Sequence, residues 1–277
     1  MSSSGLVRGL ALSCHPLPSV AVTLLSAGLA ALASLPVGRG VLVTAAVFTG
    51  QLSIGWSNDY LDAERDRAVR RPDKPVAAGA VSPRAAGAAA LVALILTAAL
   101  SAALGWPGGA AALVVVVCGW LYNLGLKATF LSWVPYAVAF GLLPAVATLS
   151  ASPPRWPAAW AFAAGALLGV AAHLANVLPD LREDVATGVR GLPHRLGARS
   201  TSLTAAAILL AASAAILFGP GGQPGGWQVA GFVVALLVAG IAATAAYRDP
   251  SSRRFFQATI LFAALDLTFF ALSGTHL

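Results

Sequence analysis

The sequence has few charged residues and very few cysteines, and each shortage excludes a class of protein. Only 10% of its 277 residues are charged, whereas a typical soluble domain has about 25%, so we exclude a water-soluble globule. Its two cysteines, Cys14 and Cys118, have neither metal-site spacing nor the number that a disulfide framework requires. Apolar residues dominate instead, because they make up 58% of the chain and give a mean hydropathy of +0.81.

Apolar runs of 16 to 23 residues recur along the chain, and this is the length that a helix needs to cross a bilayer core. We therefore expect one all-α, polytopic membrane domain over residues 1–277, with nine transmembrane helices around a central cavity. The predicted spans are 18–35, 41–57, 85–104, 109–124, 133–149, 158–178, 201–218, 227–247 and 255–273.

The basic residues predict the orientation of these spans. Of the 17 Lys and Arg residues, 15 lie on one side of the predicted bilayer and only Arg39 and Arg155 on the other. By the positive-inside rule the N-terminus is then cytoplasmic and the C-terminus outside, in a plasma-membrane protein whose site opens to the cytoplasm. This placement beside apolar spans also argues against nucleic acid as a partner, despite a net charge of +7. We interpret residues 18–35 as a first span, because no small-residue cleavage site follows as in a secretory signal.

Polar residues at the ends of the second and sixth predicted helices repeat at a constant offset of 118. Four helices separate the two copies, so both lie on the same face of the membrane, as in a parallel repeat. The pairs are Asn58 and Asn176, Asp62 and Asp180, Asp66 and Asp184, Pro75 and Pro193, Gly79 and Gly197, and Ser82 and Ser200.

The carboxylates of the two copies predict a metal site. Residues four apart share one stripe of a helix, and clustered carboxylates near an apolar cavity resist ionisation unless cations hold them. Oxygen ligands without a cluster of His and Cys favour Mg²⁺ over zinc. Basic residues, which can bind oxyanions, lie within or after each copy. Together with the carboxylates they indicate a diphosphate site. They are Arg65, Arg67, Arg70, Arg71 and Lys74 in the first copy and Arg182, Arg190 and Arg195 in the second.

The segments NDYLDAERD and RRPDKPVAAG, and DLRED and VATGVRGLPHRLG, resemble the two aspartate-rich motifs of the UbiA superfamily of intramembrane prenyltransferases. The resemblance extends over nearly the whole chain. It includes nine helices and a Tyr-x-x-x-x-Lys pattern, here Tyr122 to Lys127.

This resemblance implies transfer of a prenyl group from an isoprenyl diphosphate to an aromatic or other lipophilic acceptor, through an allylic carbocation. It implies catalytic roles for the metal-binding aspartates and for Lys127 at the diphosphate. The implied Mg²⁺ ligands are Asn58, Asp62, Asp66, Asp180 and Asp184, and Arg71, Lys74, Tyr122, Asn176 and Arg190 are further candidates for binding the metal–diphosphate group.

Two intramembrane polar residues have no role fixed by these motifs. His173 shares a helical face with Asn176 and Asp180, so it is either a catalytic group in the cavity or a hydrogen-bonded residue between helices. Asp266 lies within the ninth span, where it either lines the cavity or pairs with a neighbouring helix.

Two other functions stay open. A terpene cyclase would ionise the same diphosphate but need no acceptor, and the product mass separates it from a transferase. A transporter would have its site near the bilayer midplane on broken helices, whereas these carboxylates lie at helix ends.

Overall fold

A computed structural model describes residues 3–221, 223, 225–249 and 253–272. In these residues the chain is helical, with short 3-10 turns at Leu126–Ala128, Phe130–Trp133 and Leu178–Asp180. The α-helices are α1 Ser3–Ser13, α2 Pro16–Leu32, α3 Val37–Leu61, α4 Ala63–Ala68, α5 Pro83–Leu104, α6 Gly108–Leu124, α7 Val134–Leu149, α8 Ala159–Val177, α9 Leu181–Ala186, α10 Leu192–Leu196, α11 Ala198–Phe218, α12 Gly226–Arg248 and α13 Arg254–Leu272.

A long helix lies at each of the nine predicted ranges, but not all of these helices are long and apolar enough to be counted as membrane spans. Six helices of the described chain pass that test, and the bent pair α1 and α2 would make a seventh. α6 has only 17 residues and is too short. The membrane class is therefore confirmed, whereas the count of nine spans stays a prediction.

A sharp bend that the apolar pattern does not reveal comes just before the first predicted span. The residues before this bend form α1, which meets α2 at 64°. Pro16 occupies the first turn of α2, where its missing N–H costs nothing, and it disfavours a helical conformation for the residue before it. That residue, His15, has φ 53° and ψ 68°, in the left-handed region.

The helices pack in two groups that meet around an internal cavity. α3 packs against α2, α5 and α6, and α8 packs against α7, α11 and α13. The largest buried apolar cluster joins α2, α3, α6 and α7, and two smaller clusters join α8, α11, α12 and α13. The cavity lies between these clusters and is lined by side chains from both groups of helices.

Arg39 connects three helix ends at the side of the molecule opposite the carboxylate motifs. Its Nε donates a hydrogen bond of 2.6 Å to the carbonyl of Ser150, and its second guanidinium nitrogen donates one of 2.8 Å to the carbonyl of Leu104. The last carbonyls of a helix have no partner within that helix, so an arginine can cap them. The start of α3 is thereby joined to the ends of α5 and α7.

Candidate active site

The first carboxylate motif lies where α3 gives way to α4. The Asp62 N–H donates to the Asn58 carbonyl at 2.9 Å, and the Asp66 N–H donates to the Asp62 carbonyl at 2.8 Å. The four-residue spacing therefore keeps these side chains on one stripe even though the helix is interrupted at Asp62. Asp62 and Asp66 are only 6% and 4% exposed. Burial raises the pKa of Asp66, since desolvation disfavours its charged form.

The second motif has the same position at the end of α8. Pro179 lies in the 3-10 turn that follows this helix, and α9 then carries Glu183 and Asp184. The side chains of Asp180 and Asp184 are 31% and 18% exposed. This motif is therefore closer to water than the first one.

Arg65 lies between the two motifs. Its guanidinium is 2.8 Å from Asp62, 3.9 Å from Asp66 and 4.0 Å from Asp184. A cation among clustered carboxylates relieves their mutual repulsion, so Arg65 helps to hold the two motifs together. The repeat and the fold thus bring residues 118 positions apart into one site.

Arg71 forms a second connection between the motifs. Its side chain is 10% exposed and lies 2.7 Å from Glu183, 3.3 Å from Asp180 and 3.0 Å from Asp73. The hydrogen bonds with Asp73 raise the pKa of Arg71 further above its usual range, and the same bonds lower the pKa of Asp73. Arg71 therefore fixes the loop after α4 against α9.

Lys127 reaches the first motif from the loop after α6. Its Nζ lies 2.5 and 2.6 Å from the two carboxylate oxygens of Asp62. Burial lowers the pKa of Lys127, and the charge of Asp62 opposes this shift. The Lys127 ammonium, beside a carboxylate that is a predicted metal ligand, can bind an oxyanion.

Lys74 belongs to a separate group of three side chains beside the first motif. Its Nζ donates to Asp59 at 2.9 Å and to Asn58 at 3.4 Å, and it lies 3.1 Å from Nε2 of His15. His15 Nε2 is in turn 3.2 Å from the same Asp59 oxygen. Lys74 is therefore close to the predicted metal ligands but is held by Asp59.

Asn58 is oriented by an asparagine from α6. Its amide nitrogen donates to Asp62 and to the side-chain oxygen of Asn123, both at 3.2 Å. Asn123 donates at 2.9 Å to both the Ser57 hydroxyl and the Ile54 carbonyl. These bonds fix the amide of Asn58 beside the carboxylates.

His173 does not line the main cavity. It is 1% exposed, and its Nε2 is 3.0 Å from the Ser132 hydroxyl, which also accepts a hydrogen bond from the Leu192 N–H. Its ring packs on Tyr122 and Tyr136, with centroids 5.6 and 5.0 Å away. Of the two roles open from sequence, this geometry is that of a hydrogen-bonded residue between helices.

The remaining predicted residues divide into cavity-lining and peripheral groups. Tyr122 and Asn176 line the cavity. Arg190 is exposed, and no ion pair connects it to the carboxylates in the part of the chain that the structure describes. Asp266 is 6% exposed and accepts hydrogen bonds from the Ser213 hydroxyl at 2.7 and 2.8 Å. It borders a second, smaller cavity, here called the inner cavity.

The main cavity has a volume of about 420 Å³ and a mostly apolar wall. Several of its polar lining residues, namely Asn58, Asn123, Asn176, Tyr122 and His15, belong to the end near the motifs. Six long helices contribute to the wall, namely α2, α3, α6, α7, α8 and α13. The cavity therefore combines a polar end beside the carboxylates with a long apolar interior.

The donor set fits Mg²⁺ by its chemistry. The five predicted ligands offer only carboxylate and amide oxygens, which are hard donors. Among the described residues, no three His, Cys, Asp or Glu side chains are grouped closely enough to hold a metal ion by themselves. Mg²⁺ is usually held by one or two carboxylates together with waters and phosphate oxygens. The site is therefore suited to Mg²⁺ that binds together with a phosphate group.

The residues of this region that were not predicted from sequence include His15, Asn123 and His194. His15 belongs to no motif, and Asn123 lies within the Tyr122–Lys127 pattern without a predicted role, although each is a polar residue beside an apolar run, which is the available signal. His194 lies within the segment VATGVRGLPHRLG, and its Nε2 is 3.3 Å from Asp184 without hydrogen-bond geometry. Their placement depends on how separate helices pack.

Known proteins resemble this chain in sequence or in fold. A digeranylgeranylglyceryl phosphate synthase of Halobacterium salinarum is 29% identical over 272 residues, which covers 88% of this chain and 90% of that protein. The apo structure of a UbiA homologue from Aeropyrum pernix K1 has a TM-score of 0.74 at 18% identity and covers 92% of this chain and 98% of its own. The structure of a UbiA homologue from Archaeoglobus fulgidus bound to GPP and Mg²⁺ has a TM-score of 0.74 at 16% identity, with 95% and 98% covered.

The model of the UbiA prenyltransferase family matches residues 19–266, which include both carboxylate motifs and Lys127. The family resemblance and the enzyme class that it implies are thus confirmed, and the chain belongs to the UbiA prenyltransferase family.

Proposed function

We propose that this enzyme transfers a prenyl group from an isoprenyl diphosphate to a lipophilic acceptor in a reaction that depends on Mg²⁺. One observation carries the proposal: Arg65 and Arg71 join two carboxylate motifs beside the polar end of an apolar cavity. A diphosphate with a hydrocarbon chain has the same two-part character, with a charged head and an apolar tail.

The proposed Mg²⁺ ligands come from both motifs. Bound Mg²⁺ would supply the positive charge that stabilises a departing diphosphate. The guanidinium of Arg65 balances the carboxylates in the absence of metal, because it is within 4.0 Å of three of them. The ligands are Asn58, Asp62, Asp66, Asp180 and Asp184.

Basic side chains around the motifs bind the diphosphate in this proposal. Lys127 and Arg71 are each 10% exposed, so their charges act in surroundings with little water. They stabilise the negative charge that develops as the carbon–oxygen bond to the diphosphate breaks. Lys74 is near enough to assist, whereas Arg190 could reach the head group only after a rearrangement of its loop.

The cavity protects the allylic carbocation that the departing diphosphate leaves. Its mostly apolar wall excludes water, and Tyr122 and Tyr136 belong to that wall. Aromatic faces attract cations, so these rings stabilise the carbocation as it forms. His173 packs behind both rings and orients them.

The acceptor that we propose is a glyceryl phosphate lipid with a free hydroxyl group. The Halobacterium salinarum relative, which aligns over 88% of this chain, is named for a product that carries two geranylgeranyl groups on glyceryl phosphate. For the present enzyme we therefore propose geranylgeranyl diphosphate as the donor and the lipid with one geranylgeranyl group as the acceptor.

The charge distribution supports an active site that opens to the cytoplasm. Both motifs and 15 of the 17 basic residues belong to the same predicted side, and Arg39 caps helix ends at the other. Cysteine-accessibility labelling of Ala77→Cys and Gly38→Cys in intact cells tests this orientation. Protection of position 77 and labelling of position 38 is the expected result.

Product mass spectrometry tests the function directly. Purified enzyme in lipid is incubated with Mg²⁺, geranylgeranyl diphosphate and geranylgeranylglyceryl phosphate, with parallel samples that contain EDTA or lack the acceptor. We expect an ether product that requires both Mg²⁺ and the acceptor. Shorter donors and a panel of aromatic acceptors are run beside them.

Other products would identify a different activity. An adduct formed only with an aromatic ring would assign an aromatic acceptor. A cyclic hydrocarbon or alcohol formed without acceptor would make the enzyme a terpene cyclase. Transfer of unchanged isoprenoid across a proteoliposome membrane would favour transport.

A further inference from the structure

His15 lies at the polar end of the cavity in an unusual backbone conformation. It separates α1 from α2 with φ 53°, a value uncommon for residues other than glycine. Its side chain is 36% exposed and lines the cavity wall together with Asn58. Residues in such sparsely populated conformations cluster at active sites.

A buried carboxylate orients the His15 ring. Asp59 is 1% exposed, and its Oδ1 lies 3.2 Å from His15 Nε2 and 2.9 Å from Lys74 Nζ. Lys74 Nζ is also 3.1 Å from Nε2 of His15. In the tautomer that has its proton on Nε2, His15 and Lys74 both donate to Asp59, and Nδ1 of His15 can accept a proton. Lys74 supplies a second donor to the same oxygen, so Asp59 can stay charged although it is buried.

Helix packing holds this arrangement in place. A Cβ atom on Gly55 would lie 2.5 Å from the carbonyl oxygen of Cys14, the residue before His15. The absence of a side chain at Gly55 therefore lets the bend rest directly on α3, one turn before Asp59. The Ser19 hydroxyl donates to the Cys14 carbonyl at 2.7 Å and fixes the bend from the other side.

We propose that His15 is the general base that accepts the proton of the acceptor hydroxyl, and that Asp59 is the residue that positions it. This inference rests on the proposed function, because an aliphatic hydroxyl is a weak nucleophile that an adjacent base activates. Among the residues that the structure describes on the cavity wall, His15 is the one that carries an imidazole, carboxylate or amine.

The proposed step balances in atoms and charge. The bond between the allylic carbon and the diphosphate oxygen breaks, and diphosphate leaves with the electron pair. The acceptor oxygen forms a new ether bond to that carbon, and its proton passes to Nδ1 of His15. His15 then releases this proton to solvent, and its partial exposure provides the route.

The other basic groups nearby are already engaged. Asp62, Asp66 and Asp184 are close to Arg65, and Asp180 is close to Arg71. His173 lies behind the cavity wall, where Tyr122 and Tyr136 separate it from the lumen. His15 contacts Asp59 and Lys74 through Nε2, so Nδ1 is the ring nitrogen that can take part in the step.

A thiol acceptor distinguishes this role from a structural one. A thiol ionises near pH 8.5, so a glyceryl phosphate analogue with a thiol at the reacting position needs little help from a base. For His15→Asn we expect ether formation to fall by about 100-fold or more, which is typical for loss of a general base. Thioether formation at pH 8.5 should remain within about threefold of the unsubstituted enzyme, since donor ionisation is untouched.

Two further variants complete the test. Asp59→Asn should lower ether formation while sparing thioether formation, and a folded-protein check by size exclusion accompanies it. Thr23→Ala in α2 is the control, because its hydroxyl only donates to the Ser19 carbonyl at 2.7 Å. We expect this control to match the unsubstituted enzyme with both acceptors.

Each other result has a distinct meaning. Ether formation by His15→Asn at the unsubstituted rate would overturn the assignment of the base. Equal loss of ether and thioether products would overturn it also and assign His15 a role in donor binding or folding. If the unsubstituted enzyme forms no ether with the glyceryl phosphate lipid, the proposed function itself fails, and this base fails with it.

Discussion

Lys127 and Asp62 form a buried ion pair, in which Nζ lies 2.5 and 2.6 Å from the two carboxylate oxygens. The two residues are 65 positions apart, and their side chains are 10% and 8% exposed. The pair therefore joins the loop after α6 to the end of α3. Removal of Asp62 leaves Lys127 buried without this partner, whereas removal of Lys127 leaves Asp62 still 2.8 Å from Arg65.

This pairing predicts different results for single and double substitution. Asp62→Asn should destabilise the metal-free protein by about 3–5 kcal/mol, the typical effect of breaking a buried pair, because it leaves Lys127 buried without a partner. Lys127→Met combined with Asp62→Asn should recover much of this stability but no prenyl transfer, because both diphosphate and metal contacts are lost. Thermal unfolding and turnover measure the two effects separately. Equal stability of the single variant and the unsubstituted protein would contradict the ion-pair argument.

The metal assignment predicts that Asp62→Asn and Asp180→Asn each lower turnover by about 100-fold or more, as loss of a group that stabilises transition-state charge does. Glu64→Gln is the matched control within the first motif, because Glu64 is exposed. This control should keep its activity. Retained turnover in either aspartate variant, measured on folded protein with excess Mg²⁺, would remove that residue from the metal site.

The position of Arg65 between the carboxylates predicts that Mg²⁺ stabilises a variant without this arginine. It lies within 4.0 Å of Asp62, Asp66 and Asp184, so Arg65→Gln should lower the unfolding temperature of the metal-free protein through carboxylate repulsion. Addition of Mg²⁺ with inorganic diphosphate should raise the unfolding temperature of this variant by more than it raises that of the unsubstituted protein.

Arg67→Gln is the control for this experiment, since Arg67 is exposed and donates only a long bond of 3.5 Å to the Val76 carbonyl. Its unfolding temperature should not depend on metal more than that of the unsubstituted protein. If both variants respond alike, Arg65 does not act as the charge between the motifs.

Much of the fold could be predicted because a bilayer imposes one strong constraint. Helices need apolar runs of nearly constant length, so a long helix lies at each predicted range. The bend at His15 could not be predicted, because the apolar run hides it and its geometry depends on contact with Gly55. α1 was not predicted either, because it lies before the first apolar run that was interpreted as a span.

The site could be predicted in part. The four-residue spacing of Asn58, Asp62 and Asp66 survives the interruption of the helix, because backbone hydrogen bonds continue across it. Which arginine lies between the motifs was not readable from spacing, since Arg65 and Arg67 are both near the first motif. Only the tertiary contact of Arg65 with Asp184 of α9 distinguishes them. The same is true of Asn123, which needs α6 beside α3.

A larger residue at Gly55 should distort the bend between α1 and α2 by steric contact. Gly55→Ala would place a Cβ 2.5 Å from the Cys14 carbonyl oxygen and 2.8 Å from its Cα, so the backbone at the bend must shift. We expect lower thermal stability and a loss of transfer activity, since His15 moves with it. Gly240→Ala in α12 is the control, because its Cβ would meet nothing within 4 Å. That variant should gain about 0.5–1 kcal/mol from helix propensity; a loss of stability as large as that of Gly55→Ala would contradict the argument.

The length of the prenyl chain should depend on the wall between the main cavity and the inner one. Phe140 lines both cavities. The inner cavity is the smaller one, of about 60 Å³; it is bordered by Asp266 and lies farther from the motifs than the main cavity does. Ala263 also borders both. A large side chain between two cavities limits how far an apolar chain extends, so substitution at these two positions should have opposite effects.

Phe140→Ala should join the cavities and shift the preferred donor towards longer isoprenoids, whereas Ala263→Phe should shift it towards geranyl diphosphate. Competition between donors of different length, with products separated by mass, gives the ratio of kcat/KM values for each variant. Phe140→Ala also removes core contacts, which costs about 3–5 kcal/mol, so its assays are made at low temperature. Ala263→Phe fills space instead, and its shift in the opposite direction cannot come from loss of packing. An unchanged donor preference in both variants would show that the prenyl chain does not reach this wall.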